Sequence, residues 1–432
     1  MIERYSTPEM RHIWSPHRRW EIFLDVELAY LDALEEDGIA PAGGAERIRE
    51  TVKLDPGRIE ELEATLRHDV IAFLAHVEEQ AGDATAFMHY GMTSSDALDT
   101  VTGLQLKEAA GLIRQRLVEL ESALWSLADG HRETTVTGRT HGMHAEATSF
   151  GLLVLGWREA VCRGLERFDG AVKRVAVGKF SGAVGNLAFG DPDREVRVLK
   201  RLGLEVEPVA TQVVARDRHA EFFSTLAVIG GTLEQIAVNI RHMQRSEVGE
   251  VHESFGGGQR GSSAMPHKKN PIDSENVTGQ SRLLRSYALA SLENIALWHE
   301  RDISHSSVER MIGPDATATM EFTLRRLTRI VTNLVVHEDR MSENLAGSGG
   351  LVFSEGVLLA LVRKGLKRQD AYGYVQRAAL KAAGDGSSFE DNLVADAEVR
   401  ALLSEDEIRT CFSVREHLKF RDAIFERRTR SR

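Results

Sequence analysis

The 432-residue chain is poor in proline, cysteine and aromatic residues, with nine Pro, two Cys and 6% Phe, Trp and Tyr. Proline breaks helix interiors because it lacks an amide proton and clashes with the preceding turn. None lies between Pro56 and Pro192 or after Pro314, which favours long helices over many short strands. The two cysteines, Cys162 and Cys411, cannot form a disulfide scaffold and indicate a cytoplasmic protein.

Charge and hydropathy exclude further classes. Lys and Arg number 54 and Asp and Glu 65, a net charge of −11. This acidity argues against a protein that coats nucleic acid without sequence preference, since such binding depends on neutralising phosphates. It still allows a local basic pocket for a small anion. No uninterrupted apolar stretch approaches the roughly 20 residues that span a bilayer, and the N-terminus lacks a signal-peptide pattern. We therefore expect neither nucleic-acid nor membrane partners.

Apolar residues spaced three and four apart form three seams, each of which predicts one face of a long helix in a bundle. Segments 145–177 and 276–300 are also helical in pattern. The sequence predicts an all-α fold with about five long helices. The seams are Leu106–Leu127, Leu226–Met243 and Met320–Leu334.

We predict three helical domains: an N-terminal domain at 1–93, a central long-helix bundle at 94–345 and a C-terminal domain at 346–432. The polar residues of chemical interest lie in stretches that we interpret as loops between helices. These stretches are 87–96, 136–144, 178–192, 205–216, 252–271 and 301–314.

The stretch 256–271, Gly-Gly-Gly-Gln-Arg-Gly-Ser-Ser-Ala-Met-Pro-His-Lys-Lys-Asn-Pro, is the most informative. Ser262 and Ser263 offer hydroxyls, Lys268 offers positive charge, and Asn270 can cap a helix whose free amides face an anion. A flexible helix-capping loop explains the same residues. From the residues alone, either serine could be the reactive one.

A second stretch, Gly138-Arg-Thr-His-Gly-Met-His-Ala-Glu146, places His141 and His144 three residues apart. No cysteine or acidic cluster completes a metal site around them, so we expect no metal. Near a hydroxyl and a lysine, a loop histidine is instead a candidate acid or base. Further polar clusters occupy 67–69, 89–96 and 298–310. Each alone is typical of a capped helix end, but together they indicate a catalytic site.

These motifs resemble the fumarase/aspartase superfamily of fumarate-releasing lyases, through the segment 261–271. Within it, the sequence resembles the adenylosuccinate lyase family over residues 2 to about 425. The resemblance is carried by Arg4-Tyr5-Ser6, Arg67-His68-Asp69, Thr93-Ser94-Ser95-Asp96, Gly138-Arg-Thr-His141, Thr211-Gln212 and the stretch 299–310.

The resemblance implies a carbon–nitrogen lyase of purine biosynthesis. It would eliminate fumarate from adenylosuccinate, giving AMP, and from the succinylated aminoimidazole carboxamide ribotide, without a metal or organic cofactor. The reaction removes a weakly acidic C–H proton beside a carboxylate, so donors and cations must stabilise the aci-carboxylate that forms. The leaving purine nitrogen must then be protonated.

The resemblance also implies residue roles. Ser262 would be the general base, activated by Lys268, and His141 the general acid, oriented by Glu275. His68 would be a phosphate-side ligand that supports His141. The implied substrate-binding residues are Arg4, Tyr5, Arg67, His68, Asp69, His89, Thr93, Ser94, Gln212, Ser263, Lys268, Asn270, Asn276, Arg301, Ser306 and Arg310.

Finally, the resemblance implies a homotetramer with a core of twenty helices, in which each active site combines loops from three subunits. Two rival hypotheses stay open. One is a sister activity such as argininosuccinate lyase or carboxymuconate cycloisomerase. The other is a catalytically idle helical scaffold.

Overall fold

The computed structural model describes residues 2–255, 265 and 267–429, with side chains through residue 427. The fold is all-α, as predicted, with a few short strands. The helices are α1 (Pro8–Ile13), α2 (Pro16–Glu36), α3 (Gly44–Thr51), α4 (Pro56–Leu66), α5 (Asp69–Ala81), α6 (Ser94–Gly130), α7 (Phe150–Val175), α8 (Pro192–Leu202), α9 (Arg216–Met243), α10 (Ile272–Glu293), α11 (Ser304–Thr332), α12 (Glu338–Ala346), α13 (Ser354–Arg363), α14 (Arg368–Asp385), α15 (Phe389–Ala395), α16 (Ala397–Arg400), α17 (Glu405–Cys411), α18 (Val414–His417) and α19 (Arg421–Thr429). Short 3-10 helices occupy Glu3–Tyr5, Gly82–Thr85 and Leu351–Phe353.

The strands pair two by two. β1 (Thr135–Thr140) and β2 (Met143–Ser149) form an antiparallel hairpin. β3 (Val177–Gly178) pairs in parallel with β4 (Glu205–Val206). β5 (Val251–His252) pairs antiparallel with β6 (Val335–Val336). These short ladders tie loops together and add no layer to the helical architecture.

The predicted seams are buried. On α6, Leu106, Ile113, Leu117, Leu120 and Leu124 are each no more than 1% exposed. Burying one leucine side chain contributes about 1.5–3 kcal/mol, so a continuous seam stabilises a long helix far beyond its intrinsic propensity. The long helices α6, α7, α9, α10 and α11 confirm the predicted central helices.

Two stretches predicted as loops are regular structure. Residues 135–149 form the β1–β2 hairpin, so α7 begins at Phe150 and not at 145. Residues 304–314 form the start of α11, with Pro314 inside the helix. Pro314 is tolerated because tertiary contacts hold that turn: Thr317 donates to the Gly313 carbonyl at 2.8 Å and accepts from the Trp14 indole at 2.9 Å.

The chain divides into two compact units. The first unit comprises Met1–Glu119, Val161–Glu234 and Asn276–Arg326, and the second comprises Leu120–Ala160, Gln235–Glu275 and Leu327–Arg432. The first unit has an apolar core in which Trp20 stacks on Phe73 at 5.3 Å between ring centroids. The second has a core built from C-terminal helices, centred on buried Phe389. The division at 1–93, 94–345 and 346–432 stays a prediction.

By length and composition, α9 could cross a membrane, and so could the bent pair Glu338–Ala346 and Leu351–Arg363 if it counts as one span. Half of the apolar window of α9 is buried inside the protein. Burial of this kind is typical of a core helix in a bundle.

Candidate functional site

The first unit gathers several predicted side chains around Asp69, the first residue of α5. The Asp69 Oδ2 atom accepts from Arg310 on α11 at 2.7 Å and from Arg19 on α2 at 3.3 Å. Burial by itself raises the pKa of Asp69, but the hydrogen bond to Arg310 and the two arginine charges outweigh it and hold the pKa below its ordinary value. Arg19 was not predicted from the sequence, because it lies within a helical stretch that carries no recognisable motif.

His68 connects the predicted clusters at 67–69 and 89–96. Its Nδ1 atom accepts from the Ile71 amide at 3.5 Å, which caps α5. The Nε2 atom lies 3.5 Å from the hydroxyl of Ser94, the first residue of α6. Arg67, just before it, ends α4 in the left-handed conformation and is exposed.

A buried ion pair holds the turn at Thr93 and Ser94. Asp96 and Lys179 are both wholly buried and in direct contact. Asp96 also accepts from the amides of Thr93 at 2.8 Å and Gly182 at 3.2 Å. The carboxylate thus fixes the backbone beside His68. Sequence reasoning missed Lys179, although a lysine in the apolar run Val177-Gly-Lys-Phe180 is a signal of an internal partner.

Gln212 and Arg301, predicted to bind substrate, lie together in the first unit. The guanidinium of Arg301 donates to Gln212 Oε1 at 3.0 Å, and the Gln212 amide group donates to the Ala183 carbonyl at 3.1 Å. The Nε atom of Arg301 is buried without a hydrogen-bond partner in the described part of the chain. Arg19, Arg301, Ser306 and Arg310 line one cavity of about 330 Å³. The guanidinium groups of Arg19, Arg301 and Arg310 therefore line the cavity, which Asp99 and Glu309 also line.

A buried charge network supports this cavity. Arg216 on α9 donates to both carboxylate oxygens of Asp99, at 2.6 and 2.9 Å, and to both of Glu309, at 2.9 and 3.1 Å. Burial opposes ionisation of Asp99, but Arg216 lowers its pKa to about 2. Burial and the charge of Arg216 lower the pKa of His219 to about 3 and of His305 to about 4, so both histidines are neutral. The network joins α6, α9 and α11.

His141, in the second unit, occupies the tip of the β1–β2 hairpin. Thr140 pairs with Met143, so His141 and Gly142 form a two-residue turn with φ of 56° and 80°, as a type I′ turn requires. His141 is exposed, and its ring has no hydrogen-bond partner among the described residues. Arg139 anchors the hairpin through two bonds to buried Glu250, at 2.9 and 2.6 Å.

The start of α10 faces an anion of this chain. The amides of Asp273 and Ser274 donate to the Glu253 carboxylate of the same unit, at 3.2 and 2.7 Å, and whether a substrate anion also binds there stays a prediction. Lys268 is exposed and has no ion-pair partner in the described residues. Ser262 and Ser263, the predicted base and its neighbour, lie outside the described residues.

The other predicted residues are placed as follows. Exposed Glu275 makes no side-chain hydrogen bond to His141 within this chain, so that contact stays a prediction for the assembled protein. Asn276 has a buried Oδ1 atom with no hydrogen-bond partner in the described part of the chain.

Arg4 is exposed, and the Tyr5 ring packs edge-on against Phe322 at 5.3 Å between ring centroids. His144 is exposed on β2 and Asn270 is partly buried before α10.

Strained backbone concentrates in the predicted motifs. Among the described residues, five other than glycine have positive φ, and four of them lie in these motifs, the fifth being Leu187. Left-handed geometry is costly for residues with a Cβ and persists where surrounding structure imposes it, often at functional sites. The four are Arg67, His89, His141 and His299, with φ of 58°, 59°, 56° and 49°.

Comparison with known proteins agrees with the motifs. Residues 5–284 match the family model described as Lyase, and residues 350–428 match the one described as Adenylosuccinate lyase C-terminus. The chain is 49% identical to the adenylosuccinate lyase of Thermotoga maritima and 45% identical to that of Bacillus subtilis, in each case over 427 residues and 99% of both chains.

Solved structures show the same relationship. A fumarate lyase from Mesorhizobium sp. BNC1 matches with a TM-score of 0.90 at 28% identity, covering 100% of each chain. The 3-carboxy-cis,cis-muconate lactonizing enzyme from Pseudomonas putida matches with a TM-score of 0.87 at 28% identity, covering 98% of this chain and 96% of that one. Both family models and the near-complete alignments agree that this chain belongs to the adenylosuccinate lyase family of the fumarate-releasing lyases.

Proposed function

We propose that this chain eliminates fumarate from adenylosuccinate, giving AMP, and from the succinylated aminoimidazole carboxamide ribotide. The observation that carries this function is the near-complete alignment with adenylosuccinate lyases at 44–49% identity, including a matching C-terminal segment. Both substrates carry a phosphate and two carboxylates. A cavity lined by Arg19, Arg301 and Arg310 supports the binding of such polyanions.

The proposed elimination needs a base, an acid and a cationic surround. Ser262 would take the C–H proton, and Lys268 would favour its alkoxide and the aci-carboxylate that develops. His141 would then protonate the departing purine nitrogen. Its position at the tip of a hairpin with left-handed backbone supports this role, because an exposed ring with no hydrogen-bond partner in the described part of the chain can contact a bound substrate. We assign no step to a metal or cofactor.

The binding groups would lie mainly in the first unit. Arg310 and Arg19 share the Asp69 carboxylate, and this internal ion pair resembles the contact that a substrate carboxylate or phosphate would make. A bound anion could accept a hydrogen bond from one of these two arginines while Asp69 keeps its contact with the other. Ser94 and His68 would add further polar contacts beside it.

We also propose a cytoplasmic homotetramer with sites shared between subunits. Several large apolar side chains of α10 are exposed in the isolated chain, including Leu283, Leu289 and Leu292 at 44%, 60% and 47%. A helix that exposes leucines on one side while burying Leu284 on another is suited to packing in a larger bundle. Both cysteines are free, which fits a reducing compartment.

The decisive experiment is an absorbance assay. Purified protein is mixed with adenylosuccinate, the ultraviolet spectrum is followed, and fumarate is measured at the end. Conversion to AMP with one fumarate per AMP supports the proposal. Turnover of argininosuccinate or carboxymuconate without turnover of adenylosuccinate would replace it with a sister activity. No reaction with any of these substrates would indicate an idle scaffold.

A further inference from the structure

Glu27 on α2 is a charged residue in an apolar helix face that no sequence motif explains. Its side chain is wholly buried, between core residues Val26 and Leu28. An ionised carboxylate is costly to bury unless hydrogen bonds satisfy it. Both of its oxygens are satisfied by one residue: Oε1 lies 2.7 Å from His89 Nδ1, and Oε2 accepts from the His89 amide at 3.0 Å.

This two-point contact fixes the backbone and the ring of His89 together. His89 has a φ of 59°, in the left-handed region. Two residues later Gly91 has a φ of 70°, and a Cβ there would lie 2.8 Å from the Phe189 carbonyl oxygen. The turn is therefore held by Glu27 on one side and by close packing on the other. With Nδ1 bound to Glu27, Nε2 is left as the second ring donor and has no partner in the described part of the chain.

The charges around His89 favour the imidazolium. Burial by itself lowers the pKa of His89, but the hydrogen bond to Glu27 and the charges of Glu27 and Asp96 outweigh it and hold the pKa above its ordinary value. Asp96 on α6 is itself paired with Lys179, whereas Glu27 on α2 hydrogen-bonds directly to the His89 ring. The electrostatics thus favour the imidazolium form of a ring whose position Glu27 sets.

We propose that Glu27 is a positioning residue that holds His89 as an oriented cation, with Nε2 offered to an anionic group of the substrate. This inference rests on the proposed function, in which His89 contacts substrate. To the proposed binding residues it adds Glu27, whose carboxylate does not contact substrate and acts only by holding the histidine. The arrangement resembles a carboxylate–histidine pair in which the buried acid sets the tautomer, the orientation and the charge of the ring.

The test is the Glu27→Gln variant, which keeps a side-chain carbonyl for His89 Nδ1 but removes the negative charge. We expect KM for adenylosuccinate at pH 8 to rise about tenfold while kcat changes less than about threefold, because binding loses a cation. The pH at which KM begins to rise should fall by about one unit. Glu27→Asp, which keeps the charge, should restore most of the wild-type pH profile.

Glu321→Gln is the matched control, because Glu321 is also a buried acid of the first unit but pairs with Arg116 at 3.1 Å and not with a histidine. It should lower the melting temperature without moving the KM profile. If Glu27→Gln likewise changes only the melting temperature, Glu27 is a purely structural residue and the inference is wrong. Should Glu27→Gln fail to fold, His89→Gln decides in its place, because it removes the cation that Glu27 is proposed to hold. KM should then rise about tenfold with kcat nearly unchanged, and an unchanged KM would overturn the inference.

Histidine NMR on the tetramer separates this inference from the proposed function. The His89 titration, assigned with a His89→Gln variant, should move to lower pH in Glu27→Gln even if the wild-type protein were inactive on adenylosuccinate. An active wild-type enzyme with an unmoved His89 titration would overturn the role of Glu27 alone. An inactive wild-type enzyme with a moved titration would instead overturn the proposed function.

Discussion

In the first unit the candidate binding side chains are held by other side chains of the same chain, whereas in the second unit the candidate proton donor is not. Asp69 holds two arginines, Arg301 contacts Gln212, and His89 sits on Glu27. His141 is exposed at a hairpin tip without a hydrogen-bond partner among the described residues. Under the proposed function, this difference means that the binding groups are preorganised within one chain, while the proton donor takes its contacts from other subunits of the proposed tetramer.

The largest effect should come from His141→Ala. We expect turnover of adenylosuccinate to fall at least about 10³-fold, because the leaving nitrogen loses its proton donor. The melting temperature should barely change, since an exposed side chain without partners contributes little to stability. His144→Ala on the neighbouring strand is the control and should retain near-normal turnover. Fumarate release close to wild type by His141→Ala would contradict the assignment.

A mixing experiment extends this prediction to the assembly. The purified His141→Ala and Arg301→Ala proteins, both expected to be inactive, are dissociated and reassembled together as the proposed tetramer. If each site takes these two residues from different subunits, up to about a quarter of the sites regain both, and activity returns. Absence of any recovery in verified mixed tetramers would show that one chain supplies both residues.

The second largest effect concerns stability in the first unit. Arg216→Met leaves Asp99 and Glu309 buried without their cation, and we expect the free energy of unfolding to fall by about 3–5 kcal/mol. Denaturant unfolding of the purified protein at fixed protein concentration measures this change. Arg114→Gln, which removes an exposed pair with Asp169, is the control and should leave stability unchanged. Equal losses of unfolding free energy in the two variants would show that the buried network stabilises the protein no more than an exposed ion pair does.

Acidification should weaken the first unit through its buried neutral histidines. The pKa of His219 is about 3 in the folded protein and about 6.5 when unfolded, so between these values only the unfolded chain gains the proton. Stability should therefore fall as pH drops below about 6.5, by about 2 kcal/mol at pH 5 from His219 alone. Asp99, with a pKa of about 2, adds its loss only below about pH 4.

The pH dependence is measured as unfolding free energy at pH 7 and pH 5 at constant ionic strength. His219→Gln removes one proton-binding group and should cut the fall in stability over this range by about 2 kcal/mol, leaving the part that His305 contributes. A wild-type protein equally stable at both pH values would contradict the assignment of His219 as a buried neutral ring.

The smallest effect should follow Gly142→Ala in the second unit. Gly142 has a φ of 80°, so a Cβ there costs about 1 kcal/mol of backbone strain even though the space around it is open. Because the strain lies beside His141, turnover should fall more than stability does. Gly111→Ala on α6, also in open space but with helical φ, is the control and should stabilise the protein slightly. Thermal melts and turnover of both variants check this.

The sequence predicted features whose signal is local or periodic. The leucine seam of α6 repeats over many turns, and the buried positions follow it. The motifs at 67–69 and 93–94 adjoin because His68 caps one helix and Ser94 begins another. The β1–β2 hairpin was missed because His-Gly is an uncommon turn pair, although alternating residues on both sides of it were a usable signal.

The sequence by itself determined the helical scaffold and the family, because apolar periodicity and clustered polar motifs are local patterns of neighbouring residues. Tertiary structure alone decided which charges meet: Glu27 with His89, Asp96 with Lys179, and Asp69 with Arg310. These partners lie 62 to 241 residues apart. No local pattern connects them, since a buried charge is stabilised only by whatever the completed fold places within hydrogen-bond distance.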